Sequence, residues 1–142
     1  MTPELIFTIV NAIAVLSWVG LAALPGHKIV TRIIGLAVPA LLASIYIAIV
    51  AARIGGSDGG FSSLAAVTTL FADPWLLLAG WIHYLVFDLF AGSWEVRDAR
   101  TRGLSHALVL PCLALTFLFG PAGWLLYLIV RVRYPDEARA AY

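Results

Sequence analysis

Apolar residues fall in four long runs along this chain, separated by shorter polar breaks. The first run covers residues 5–24 and ends at Pro25-Gly26. The second covers 33–52, between Arg32 and Arg53. The third covers 74–94. The fourth covers 107–130 and ends at Arg131. Each meets the roughly 20 residues that a helix needs to cross about 30 Å of hydrocarbon. A helix satisfies its own backbone groups in lipid, so each run is predicted to be a transmembrane helix. The pattern predicts an all-α integral membrane protein: a four-transmembrane-helix bundle, one membrane domain over residues 1–142, with both termini on one side.

The breaks differ in character. Residues 25–32 read as a tight basic turn. Residues 53–73 are longer, with Gly55-Gly56-Ser57-Asp58-Gly59-Gly60 as a flexible piece. Residues 61–71 then suit a short helix lying along the interface. Asp73-Pro74 is a good helix start, with Asp as cap and Pro in the first turn. Residues 95–106 are predicted to be a loop carrying Glu95, Arg97, Asp98, Arg100, Arg102 and His106. Pro39, Pro111 and Gly120-Pro121 are expected to bend their helices, because proline removes a backbone donor and crowds the preceding turn. Bent helices leave room for a pocket between them.

Composition agrees with this reading. Only 12% of residues are charged, about half the usual share in a soluble domain, and mean hydropathy is +0.96. The net charge of +1, with no dense Lys/Arg patch, argues against nucleic acid as a partner. A single cysteine, Cys112, excludes an internal disulfide or a Cys-Cys metal site and reads as a packing residue. Met-Thr-Pro-Glu lacks the positive region of a signal peptide, so the first run is expected to be retained. Orientation is barely biased. With four spans, Arg53, Arg131, Arg133 and Arg139 face one side, and Lys28, Arg32, Arg97, Arg100 and Arg102 the other.

Against this apolar background Asp88 stands out. The third run reads Gly-Trp-Ile-His-Tyr-Leu-Val-Phe-Asp-Leu-Phe over 80–90, and the cores of the other runs hold no ionisable Asp, Glu, Lys, Arg or His. A charged group in hydrocarbon is costly, so it usually faces a bundle interior, a partner or water. Asp88 is a candidate acid–base residue; otherwise it holds the bundle by bonding Tyr46, Ser44, Thr116 or a backbone group. His83 suits proton transfer or metal ligation, or simply donates to a carbonyl. At about 100° per residue, Trp81, Tyr84, Asp88 and Glu95 share one helix face, and His83, Phe87, Phe90 and Trp94 another. His83 and Asp88 lie roughly 140° apart on the helix, so they cooperate only around a ligand or through a neighbouring helix. His106 opens the fourth run at the interface. Asp98 and Arg102 read as a routine i,i+4 pair.

His83, Asp88, Glu95, Asp98 and His106 are an inventory of oxygen and nitrogen donors, yet no metal-binding spacing occurs among them. No metal and no cofactor is therefore assigned. Trp81, Tyr84, Phe87 and Tyr46 would suit a long apolar or polyene ligand, with core packing as the plainer alternative.

Residues 80–95, Gly-Trp-Ile-His-Tyr-Leu-Val-Phe-Asp-Leu-Phe-Ala-Gly-Ser-Trp-Glu, resemble the abscisic-acid-deficient-4-like family. The likeness continues through Asp98, Gly103 and His106 to the stretch 110–123, which begins Leu-Pro-Cys-Leu and ends Gly-Pro-Ala-Gly. It is looser in the first half, at Asn11, Trp18, Pro25 and Tyr46. The resemblance implies a small four-span membrane protein acting on a xanthophyll, as the plant members are associated with neoxanthin synthesis. That reaction protonates an epoxide oxygen, opens a ring C–O bond and removes a proton from C7, giving an allene and a tertiary alcohol. It needs an acid, a base and a site shielded from water. Asp88 and His83 are the candidate pair, with His106 and Asp98 as alternatives. The chain's size and arginine usage suggest a bacterial protein of the inner (cytoplasmic) membrane, whose substrate is another carotenoid or isoprenoid. The expected partners are the lipid bilayer and a carotenoid or other long apolar ligand, with a homo-oligomer left open. The alternative is a non-catalytic protein that binds pigment or assembles a complex; a metal-dependent membrane enzyme is the weaker alternative.

Overall fold

The structure is a computed structural model that describes residues 1–134. Within them it is helical, with no strand. The first run forms α1, Pro3–Ala23, with Pro3 in the first turn and the Thr2 hydroxyl accepting from the Leu5 amide. This is the expected span, shifted by one or two residues.

The second helix starts earlier than predicted. Helical backbone runs over Lys28–Gly56, so the basic turn shrinks to residues 24–27. The run comprises α2 (Lys28–Arg32), a π-helical segment (Ile33–Ala37), α3 (Val38–Arg53) and a closing 3-10 turn (Ile54–Gly56). The expected bend at Pro39 takes a definite form. Proline cannot donate to the carbonyl four residues back, and the backbone widens just ahead of it, where the Val38 amide bonds Ile33 O five residues back.

A short α4, Leu64–Phe71, follows, capped by the Ser63 hydroxyl accepting from Ala66 N. It is the interfacial helix foreseen in the 53–73 break, three residues shorter. Asp73 then caps α5 as expected, accepting from Trp75 N at 2.7 Å and Leu76 N at 3.3 Å. However, α5 runs over Pro74–Thr101, 28 residues. It absorbs most of the predicted 95–106 loop, and only residues 102–105 remain as a connection. Its centre packs against α1 and α3, burying Ile82, Leu85 and Leu89 among Val10, Leu21 and Leu42.

The fourth run differs most from expectation. Gly120 divides it into α6, His106–Phe119, and α7, Pro121–Val132. Gly120 has φ of +32°, a conformation that side-chain-bearing residues rarely adopt, and Pro121 begins the new helix. The contacts fix the direction of each arm. At its start α6 lies beside the end of α1, with His106 Nε2 2.8 Å from Ala22 O. At its end Tyr84 donates to Phe117 O, and Gly120 abuts Asp88. Then α7 returns: Tyr127 and Arg131 reach Asp98, and Arg102 donates to Tyr134 O. A Cβ on Gly123 would strike the Thr116 backbone at 2.0 Å, so glycine lets the two arms touch. α6 and α7 form a hairpin that enters beside α5 and turns back near its middle.

Three helices are thus long and apolar enough to cross a membrane: Pro3–Ala23, Lys28–Gly56 and Pro74–Thr101. At about 1.5 Å per residue the two hairpin arms are roughly 21 and 18 Å long, too short to span. Residue 134 therefore lies at the opposite end of the bundle from the N-terminus, whereas a fourth span would have returned the chain to the N-terminal side; the C-terminus itself lies outside the described residues. The cation balance changes with it. Arg131 and Arg133 join Lys28, Arg32, Arg97, Arg100 and Arg102 at one end, leaving Arg53 alone at the other; Arg139 lies outside the described residues.

Candidate functional site

The hairpin packs on a polar face that runs from the middle of α5 to its end. Tyr84, Asp88, Glu95, Asp98 and Arg102 recur at spacings of four, seven, three and four, which keep them on one side of a helix. Hydrocarbon rewards no such stripe, so the hairpin covers it with groups of its own.

The covering is uneven along the stripe. At the connection end Asp98 is fully engaged. Arg131 bonds it through Nε and Nη2, at 2.7 and 3.1 Å, Arg102 Nε at 2.9 Å, and the Tyr127 hydroxyl at 2.7 Å. The expected i,i+4 pair with Arg102 is present, yet it is no routine surface pair: the side chains of Asp98 and Arg102 are only 13% and 8% exposed. Trp94 completes the cluster, edge-on to the Tyr127 ring and beneath the Arg131 guanidinium. Deeper in, Glu95 is 0% exposed and accepts one hydrogen bond, from the Thr116 hydroxyl at 2.8 Å. Its Oε2 has no partner among the described residues. At the hairpin tip Asp88 is buried against Gly120 and Tyr84, and its Oδ2 also lacks a partner.

A groove leads toward Asp88 from the other end of the bundle. It encloses about 700 Å³ between α1 and α5. Pro3, Phe7, Phe71, Leu77, Trp81 and Tyr84 are among its walls. The Trp81 indole donates to Asn11 Oδ1 at 3.1 Å, tying the two helices. Tyr84 closes the inner end, with its ring on the groove and its hydroxyl donating to Phe117 O at 3.3 Å, beside the Asp88 carboxylate.

The residues singled out from sequence divide among three places. Trp81 and Tyr84 line the groove, and Asp88 lies beside Tyr84 against Gly120 at the hairpin tip. His83 does not join them; its ring packs at a tilt against Phe87 at 4.7 Å and Tyr46 at 5.7 Å and lines a neighbouring 300 Å³ pocket toward α3 and α4. His106 and Asp98 sit at the connection end. The bonding alternatives for Asp88 also resolve: Ser44 donates to Ala40 O, Tyr46 packs against His83, and Thr116 serves Glu95. No three His, Cys, Asp or Glu side chains converge as a metal site among the described residues, so the five-residue donor inventory is dispersed.

Glu95 is the residue whose importance the sequence pattern understated. It shared the Asp88 face by helical spacing, but the charged stretch from Glu95 onward suggested a loop. Thr116 was read as a possible partner of Asp88 and instead serves Glu95, while Tyr127 and Arg131 were not read as site residues, since only the reversal at Gly120 aims them at α5.

A family model described as ABA DEFICIENT 4-like matches residues 5–127. That is most of the chain, and the chain belongs to this family. No curated protein and no solved structure matches it. Family and apolar helices together make it a membrane protein.

Proposed function

Starting from membership of the ABA DEFICIENT 4-like family, we propose that this chain is a membrane-embedded isomerase of a carotenoid or related isoprenoid epoxide, similar to a neoxanthin synthase. The observation that carries the reading is a buried Asp88 oxygen, without a partner among the described residues, beside Tyr84, whose side chain lines a largely apolar groove. A long polyene fits such a groove, with its ring end at Tyr84 and Asp88. Trp81 and Phe7 would flank the chain. Asp88 remains the first acid–base residue, and Tyr84 replaces His83 as the group beside it, because His83 faces another pocket.

The chemistry balances without an outside reagent. The Tyr84 hydroxyl donates its proton to the epoxide oxygen as the C6–O bond breaks. The Asp88 carboxylate takes the proton from C7, and that C–H electron pair becomes the new C6=C7 bond. An allene and a C5 hydroxyl result, and the proton on Asp88 returns to Tyr84. Burial between α5 and the hairpin keeps water from the opened ring.

The cations at the connection end support, by the positive-inside rule, an orientation with that end toward the cytoplasm of a bacterial inner membrane. Expressing the chain in cells that make epoxy-carotenoids tests the reading. A pigment isobaric with its precursor but eluting apart from it is expected, and Asp88→Asn should abolish it. Well-inserted protein giving no isobaric product from several epoxides would sink the proposal.

One observation favours a second reading, a non-catalytic pigment-binding or assembly protein. His83 and Asp88 do not meet, and Asp98 shows that a carboxylate on this face can be purely a clasp. A pigment that copurifies unchanged, with Asp88→Asn altering only its retention, would favour it.

A further inference from the structure

At the connection end, α2 and α5 each present a cationic triad. Lys28, Thr31 and Arg32 lie on α2 at i, i+3 and i+4, and Arg97, Arg100 and Thr101 repeat that spacing on α5. The two triads face each other across a pocket of about 520 Å³, lined by these six residues. The pocket therefore holds four cations and two hydroxyls.

Nothing anionic in the described structure balances it. Among the described residues Asp98 is the carboxylate that pairs with cations, and it is turned to the opposite side of α5, toward Arg102 and Arg131. The pocket is nevertheless organised. Arg100 is anchored by donating to Pro25 O at 2.8 Å. Arg97 lies against the π-helical segment, its guanidinium 3.1 Å from where a Cβ on Gly35 would sit. The widened backbone ahead of Pro39 thus sits where the arginine passes. Thr31 and Thr101 hydroxyls donate back to their own helices, so the four cations are the groups left to meet a ligand.

Depth identifies the ligand. Trp75, beneath Arg53, and Trp94, beneath Arg131, mark the two interfaces. They are 19 residues apart, about 28 Å along a helix, close to the hydrocarbon thickness. Arg97 to Thr101 lie roughly 5–10 Å beyond Trp94, in the headgroup layer. We propose that this pocket binds a phosphate-bearing anion, supplied by the headgroup of an anionic phospholipid in the leaflet on that side. Guanidinium groups suit phosphate by bidentate bonding, and basic pockets between membrane helices recognise such headgroups. The site is independent of the reaction proposed above.

The test uses the full chain in a non-ionic detergent at moderate salt. Phosphatidylglycerol should raise the unfolding temperature by several degrees, and phosphatidylcholine should leave it unchanged. The double variant Arg32→Gln/Arg97→Gln should bind phosphatidylglycerol at least tenfold more weakly. Arg133→Gln, a cation at the same end but outside the pocket, should stay within twofold of the parent. Inorganic phosphate matching the phosphatidylglycerol effect would support the site and assign its source to soluble phosphate. Should the double variant misfold, native mass spectrometry of the parent protein decides: retained phosphatidylglycerol but not phosphatidylcholine supports the site. Equal retention of the two lipids overturns it, as does an Arg133→Gln loss equal to that of the double variant.

Discussion

The C-terminal hairpin is at least as apolar as the long α5 it packs against, yet the two behave in opposite ways. α1, the Lys28–Gly56 run and α5 cross the bundle from end to end, whereas α6 and α7 turn back at Gly120. Hydropathy does not separate them, since a straight span and a folded one read alike in a window of about 20 residues. Two features do. One is Gly120, whose φ of +32° reverses the chain ahead of Pro121. The other is the polar stripe of α5, which gives a returning arm something to bind. The long helices bury apolar side chains against one another; the hairpin adds Val109, Cys112 and Leu113 to that core and is held as well through polar bonds to Glu95 and Asp98. In lipid, where apolar contact between helices brings little net gain, such bonds decide which arm sits where.

That contrast predicts its own disruptions. The largest effect is topological and all-or-none. In a Cys112→Ser background, Ser105→Cys and Tyr134→Cys should react with an impermeant thiol reagent from one side of the membrane, and Ser62→Cys from the other. Labelling of Tyr134→Cys from the Ser62 side would restore a fourth span and end the hairpin description. Next comes the clasp. Asp98→Ala removes the hydrogen bonds from Arg102, Tyr127 and Arg131 at a largely buried carboxylate and should cost about 3 kcal/mol in unfolding measurements in detergent. A loss under about 1 kcal/mol would mean the hairpin holds without it.

The turn should matter less. Gly120→Ala forces a side chain into a left-handed φ and brings a Cβ to 2.7 Å from Asp88 Oδ1, for a loss of about 1–2 kcal/mol. Thr116→Val removes the hydrogen bond to Glu95 and should cost about 1 kcal/mol. An effect of neither substitution would show that α6 is placed by packing alone. Asp88→Asn should be smallest in stability, within about 1 kcal/mol, because no hydrogen bond to its Oδ2 is lost. Its pigment turnover should nevertheless fall at least a hundredfold. His83→Ala should leave turnover within about threefold; a loss as deep as that of Asp88→Asn would return His83 to the reaction.

Much of this was legible from the chain. The apolar runs located α1, α3 and the start of α5, and Asp73-Pro74 and Pro25-Gly26 set their edges. Helical spacing placed Tyr84, Asp88 and Glu95 on one face and His83 on another, and the structure keeps that division. The end of α5 was misplaced because charges from Glu95 to Arg102 read as loop, whereas they are covered by the hairpin or lie in the headgroup layer. The basic turn was overlong for the same reason, since Lys28 and Arg32 are helical.

By itself the sequence determined the helical class, three of the crossing segments and the isolated acid at position 88, because hydrophobic length and helical period are local properties. Only the tertiary structure decided the direction of α7, the clasp on Asp98, the burial of Glu95 and the pairing of two basic triads. The direction of α7 and the clasp on Asp98 depend on a reversal at one glycine, which brings Arg131 to Asp98, 33 positions away; the burial of Glu95 and the pairing of the triads depend on how α6 and α2 pack beside α5. Periodicity records which face a residue occupies. It does not record which helix comes to meet it.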